Sequence, residues 1–380
     1  NQIQQLAIAG NISLALFGNS SDGKAVGGGV NVQVSNNQAS AGIGANGTVK
    51  GKRVDVTASQ EELIIGVTPS AGKGASVAGT GAVVVSVVNS DVNASIHNST
   101  VVQAEQVGIT ADHQLGLWSA AGALAVSNET GIGAGVAVNV LHTDVLALVG
   151  DNRSLRSSAL GVGAAGNGKA TWVVDELLVN AESTGQVGAF SVAGAVARTA
   201  EEQQKQDEAD ADSADKGVMG AVEEIGKGLL QMVFGDASAG LQNGIAGAKD
   251  GATSIKDTIV SVPGKIGEVV DKIKGLFDDK PDPGTGKTKQ SLALAGSASV
   301  NVVGQKTRAQ LGDIVLDPRD PLSKGSKVTV LSLNQTNQLS GSGSGAFTLA
   351  GGQRSQSSSA IAGAIAYNHL YNLTQAQLKN

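Results

Sequence analysis

The chain has no cysteine, which removes disulfide staples, thiolate metal sites and cysteine nucleophiles together. Aromatic residues are 2% of it, and large side chains of any kind are sparse. Small side chains bury little area each, and at about 25 cal/mol per Å² they stabilise a fold only through many repeated layers. No run of about 20 apolar residues is present, so no transmembrane helix is expected. The stretch from Asn1 onward lacks both a basic and an apolar leader region. It starts mid-pattern, as an excerpt of a longer polypeptide whose export signal and anchor lie elsewhere would. The net charge of -6, without a basic stripe, argues against a nucleic-acid partner.

What is abundant is glycine. Fifty-three of 380 residues are Gly, about twice the usual share of roughly 7%, accompanied by much Ala, Val, Ser and Asn. Self-comparison exposes a repeat. The segment from Asn139 to Val149, read as polar, apolar, a few loose positions, then Ala-x-apolar, recurs at 33–43, 86–96, 301–311 and 368–378. Its central alanines are Ala41, Ala94, Ala147, Ala309 and Ala376, the first two steps each being 53 residues.

Upstream of each copy sits a small-residue block, such as Gly27-Gly28-Gly29-Val30 or Gly131-Ile132-Gly133-Ala134. A second block precedes that one, such as Ala120-Ala121-Gly122-Ala123 or Phe190 to Ala195. Polar turn formers of varying length join the two, Ser127-Asn128-Glu129-Thr130 being a short example. Alternating runs follow each motif, Lys52 to Ala58 and Lys327 to Ser332 among them, and period two means strand. The pattern predicts an all-β solenoid over 1–199 and 288–380, built of strands of about five residues in coils of about twenty. Inward Gly and Ala would let neighbouring backbones approach closely.

Between 200 and 287 the pattern breaks. An acidic stretch from Glu201 to Asp215 is followed by apolar stripes at helical spacing: Val218, Val222, Ile225, Leu229 and Val233, then Ile255, Ile259 and Val262, then Ile266, Val269, Val270, Ile273 and Leu276. The spacing predicts an inserted α-helical hairpin or small bundle. Seventeen of the 33 acidic residues fall between 201 and 282, which disfavours contact with anionic lipid.

No residue is assigned a catalytic, cofactor-binding or metal role. Pro283-Gly284-Thr285-Gly286-Lys287-Thr288 resembles the end of a phosphate loop, but the position of its first glycine holds Pro281. His97, His113, His142 and His369 lack metal-ligand spacing and are expected at surface or turn positions. The adjacent pair Glu61-Glu62 is expected to be solvated, giving acid–base chemistry no home. Asn-x-Ser/Thr triplets such as Asn93 and Asn372 suit Asn stacking or turns better than glycosylation. Trp118 and Trp172 are expected to pack at strand ends or in the core.

The run Leu294-Ala-Gly to Leu311, matched by Ile361-Ala-Gly to Leu378, resembles the repeats of filamentous-haemagglutinin-like and leukotoxin-type large bacterial exoproteins. The resemblance covers everything but the excursion. It implies a right-handed parallel β-helix, secretion to the bacterial cell surface with an outer-membrane secretion partner, and a non-enzymatic role in attachment or biofilm, through host-cell or matrix proteins or glycans. Homotypic association of shafts belongs to the same expectation. A toxin segment whose helical insert engages a membrane or a host protein is the alternative.

Overall fold

The computed structural model describes residues 2–14, 23–150, 171–198, 291–312, 314–318, 325–349 and 358–378. The segment 200–287 predicted as helical lies outside them. All the regular structure described is β, and every strand pairing is parallel.

The strands are β1 (Gln2–Ile8), β2 (Asn11–Leu14), β3 (Lys24–Ile43), β4 (Thr48–Lys73), β5 (Val77–Ile96), β6 (Val101–Ser127), β7 (Thr130–Val149), β8 (Thr171–Arg198), β9 (Ser291–Leu311), β10 (Val315–Asp317), β11 (Lys327–Leu349) and β12 (Ser358–Leu378). They form two sheets. Sheet A takes β1 and β2, β4, β6, β8 and then β10 and β11; sheet B takes β3, β5, β7, β9 and β12. The chain therefore alternates between sheets, and each strand lies beside the strand two elements earlier. One winding comprises one strand of each sheet. Lys24 pairs Val77 and Val77 pairs Thr130, so the 53-residue repeat is one complete coil.

This corrects the expected strand length and coil length. Most strands run 20 to 28 residues, because Gly, Asn and Ser do not punctuate here. In an in-register parallel stack each such residue sits beside a ladder neighbour that satisfies its backbone, and the tertiary context overrides local propensity. Asn89 donates to Asn36 at 2.7 Å, a turn-former stacked inside a strand. Proline does leave a mark. Pro69 lies within β4, and the strand beside it breaks there: β1 ends at Ile8 opposite Val67 and β2 begins at Asn11 opposite Ser70. Having no N–H, Pro69 cannot complete the ladder on that side.

The core between the sheets is a wedge. At one edge the second halves of the sheet B strands face the first halves of the sheet A strands, and Ile96, Ile109, Val145, Trp172 and Leu177 fill the space. At the other edge the core is almost purely alanine, with Ala193, Ala195, Ala197, Ala293 and Ala295 in one cluster. There glycines let backbone meet backbone: a Cβ on Gly131, Gly133 or Gly135 would lie 2.8, 2.3 or 2.8 Å from the carbonyl oxygens of Val196, Gly194 and Val192. The expected use of glycine for close approach is thus seen between the sheets.

Corners accept length without disturbing the stack. At the thin edge the link is Gly74-Ala75-Ser76 in one coil and Asn128-Glu129 in the next. At the wide edge Asn46 adopts φ 60°, a left-handed conformation that Asn tolerates, and Thr100 of the next corner donates to Gly44 O at 2.7 Å. Residues 151–170 and 199–290 enter at opposite edges. Nevertheless β9 pairs β7 in unbroken register from Thr130↔Leu292 to Val149↔Leu311.

Candidate functional site

The residue types that carry chemistry meet inside the shaft. Gln60, His113 and Ser183 are ladder partners in β4, β6 and β8, all facing the core. Glu62, two residues beyond Gln60, faces the same way, as strand periodicity requires. Across the core Ser90 of β5 donates to Glu62 Oε1 at 2.6 Å, and Gln60 Nε2 donates to the same oxygen. His113 Nε2 stands 3.5 Å from that oxygen, while its Nδ1 is 2.9 Å from Ser183 Oγ. The expectation that Glu62 is solvated is corrected: it is 2% exposed, and His113, expected at a surface or turn, is fully buried. The reason is the even spacing of inward positions, which the adjacency of Glu61 and Glu62 conceals. Glu61 faces out, where Gln2 donates to it at 2.9 Å.

Serine, histidine and carboxylate in contact invite comparison with a nucleophilic triad. The geometry differs. The His–Glu separation is too long for a strong hydrogen bond, and Gln60, Ser183 and both titratable partners are at most 2% exposed, leaving no approach for a substrate at this cluster. What the arrangement does is brace four strands from three coils through one charged node.

Electrostatics agree with that reading. Burial pushes the Glu62 carboxyl up, but the interaction with His113 and the hydrogen bonds from Ser90 and Gln60 together outweigh it, and its pKa lies below the ordinary carboxylate value. Asp112, next to His113 but on the outer face, goes the other way: burial raises it, opposed by Ser59 and His113. A lowered folded pKa means that Glu62 adds stability above its unfolded value of about 4.3 and loses it as pH falls through the folded value. Asp112, with a raised folded value, resists that loss. Glu62→Gln is therefore expected to flatten the fall in melting temperature between about pH 6 and about pH 3, read by circular dichroism; a slope equal to wild type would remove Glu62 from the acid response.

A second polar seam runs along the axis. Asn139 donates to Asn301 Oδ1 and Asn301 to Asn368 Oδ1, each at 3.0 Å. The same amides also reach the opposite sheet, Asn139 to Gly188 O at 2.7 Å and Asn301 to Leu339 O at 2.9 Å. Gln33, one position in the same column, donates to Ile65 O at 3.0 Å. The three backbone carbonyl acceptors lie in one sheet A column, in which Ile65, Trp118, Gly188 and Leu339 are successive ladder partners. This column, whose asparagines lie outside the Asn-x-Ser/Thr triplets, acts as a clamp between the sheets.

The remaining predicted positions separate. Trp172 is fully buried in the wide core and donates from Nε1 to Thr100 O at 2.8 Å. Trp118 is buried too, but on the outer face of sheet A, lying over Gly188 and stacked on Phe190 with centroids 6.2 Å apart. Beside it is a cavity of about 110 Å³ bordered by Gln2, Glu61, Gln114 and Gln186. His97 is in a corner, and His369 is on the outer face of β12, stacked against Tyr367. His142 is half-buried in β7; desolvation lowers its pKa, with Lys306 adding to that and Asp144 and Asp91 opposing it. The phosphate-loop-like stretch at 283–288 lies outside the described residues. Among the described residues no group of three or more His, Asp or Glu side chains is placed to hold a metal ion, and no helix is long and apolar enough to cross a membrane.

No family model, curated protein or solved structure matches the chain.

Proposed function

We propose that the chain is a shaft segment of a giant secreted or surface-attached bacterial filamentous adhesin, wound as a right-handed parallel β-helix and non-enzymatic. One observation carries this reading. The strand stack keeps its register across corner insertions of very different length, β7 pairing β9 without a slip although 199–290 intervenes. A scaffold of this kind separates two tasks, since buried columns hold the rod and corners are free to present contacts along it. Right-handedness follows from the rule for parallel crossovers in one sheet. The partners such a rod would meet are host-cell or matrix proteins or glycans at its corners, and an outer-membrane secretion partner during export. The inserted segment 200–287 is the helical module on this reading.

The test uses two chains, one intact and one in which 200–287 is replaced by Ser-Asn-Glu-Thr, the corner of the preceding coil. Both are applied to host cells and to panels of matrix proteins and glycans. The intact chain is expected to bind and the shortened chain to lose binding while keeping its β circular dichroism. Equal binding by both would move recognition to the shaft, and no binding by the intact chain would overturn the adhesive assignment of this segment.

A further inference from the structure

Two apolar fillings occupy the middle and the wide edge of the wedge, one holding Leu141, Val187 and Val303 and the other Val145 and Ala181. Between them the inward positions turn polar. Thr143 and Gln305 are ladder partners in β7 and β9, and both are fully buried. Among the described residues neither Oε1 nor Nε2 of Gln305 has a hydrogen-bond partner, and Thr143 Oγ1 has none. Turning the amide over exchanges its two ends and pairs neither. Buried polar groups are almost always paired, with protein or with ordered water.

The facing sheet supplies another such atom. Asn301 reaches Leu339 O and Ser299 reaches Gly341 O, so a step forward along β9 is matched by an equal step back along β11. Four residues on from Asn301, Gln305 therefore lies opposite Gln335, whose neighbour Thr336 faces inward with a buried Oγ1 that has no partner among the described residues. The same count from Asn139 and Gly188 O sets Thr143 opposite Thr184, beside the inward Gly185.

Gly185 leaves room at this level. It pairs Thr336 of β11 on one side and Leu115 of β6 on the other, and it carries no side chain to fill the gap. A methyl group placed on it would come no closer than 3.4 Å to any atom beyond its chain neighbours, and the atoms it would meet include Thr336 Oγ1 at 3.4 Å and Leu115 O at 3.5 Å. A water molecule is about the size of a methyl group, and a buried one takes two to four polar partners.

We propose that the space at Gly185 is a binding site for ordered water, held by Thr336 Oγ1 and Leu115 O on one sheet and by Gln305 and Thr143 on the other. Water fits the chemistry of these atoms. Gln305 Nε2 only donates, Gln305 Oε1 and Leu115 O only accept, and the two hydroxyls do either. A cation would meet the Nε2 donor and no carboxylate among these side chains. The bound water ties β6, β7, β8, β9 and β11 together where the two apolar fillings part. The site is separate from the Glu62 node and stands whether or not the shaft is adhesive.

Oxygen-17 magnetic relaxation dispersion on the whole chain counts buried waters by their long residence. Gly185→Ala puts a methyl group into the space and is expected to lose a water from the wild-type count while the β circular dichroism stays. Gly296→Ala adds the same methyl where nothing lies within 4 Å, and is the control expected to keep the count. Gln305→Met, close in shape but without the amide, repeats the test should Gly185→Ala fail to fold, and is expected to lose the same water. A folded Gly185→Ala or Gln305→Met chain that keeps the full wild-type count overturns the proposal, since the space at Gly185 is then dry.

Discussion

Trp172→Ala is expected to cost about 3–5 kcal/mol, the range for emptying a large buried site, with a further contribution of about 1–3 kcal/mol from the unpaired Thr100 carbonyl. Aromatics are 2% of this chain, so the indole is the largest fully buried side chain described. It stands inward at the start of β8, in the wide edge of the wedge, clustered with Ile96, Val102, Val149 and Val174. Most of its neighbours are valines and alanines on long strands held by ladders above and below, and these have little freedom to collapse into the gap. Its Nε1 also ties β8 to the corner one coil earlier, so the substitution loosens a corner and a core together. Leu331→Ala, at a site 51% exposed on the outer face, is the control and should stay within about 0.5 kcal/mol. Thermal melting of both variants, followed by hydrogen exchange over β6 and β8, decides the matter; matched melting temperatures would mean that the wide edge is not where the stability resides.

The repeat, the all-β parallel character and the pairing of small-residue blocks were legible before any coordinates, because stacking imposes a period that a linear search detects. Central alanines 53 residues apart are neighbours in the fold: Ala41 pairs Ala94 and Ala94 pairs Ala147. Strand length was not legible. Local rules treat Gly, Asn and Ser as breaks, and a parallel in-register stack neutralises those rules by giving each residue a like-sized neighbour. The buried node was missed for a related reason. Nothing local distinguishes Glu62 from Glu61, and their separation into core and surface depends on counting parity from Ile64 and Val56, both inward and buried. With that parity, Gln60 and Glu62 would have been read as inward, and His113 as the ladder partner of Gln60.

Parity also explains why glycine is needed at some positions and dispensable at others, which leads to a sharp contrast. Gly133→Ala is expected to destabilise by at least about 1–3 kcal/mol, the usual cost of overpacking, and Gly133→Val to prevent coils three and four from closing. The added Cβ would stand 2.3 Å from Gly194 O and 3.1 Å from its carbonyl carbon. Both are backbone atoms of β8, fixed by ladders to β6 and β11, so no side chain can swing aside. Ladder neighbours show that the requirement is local to this crossing, since Gly133 pairs Thr80 on one side and Ala295 on the other, and both carry a Cβ. Gly296, three positions along β9 from Ala293 and facing outward, has nothing within 4 Å of a Cβ. There Gly296→Ala should be neutral or slightly stabilising, because glycine in a strand is itself unfavourable by about 0.5–1 kcal/mol. The two substitutions add the same methyl group to neighbouring strands of one sheet, so composition and propensity cannot separate them. If both melt alike, the thin edge does not hold its two sheets in backbone contact; if only Gly133→Ala falls, and hydrogen exchange rises first in β7 and β8, the approach of the sheets at that edge sets the geometry of the coil.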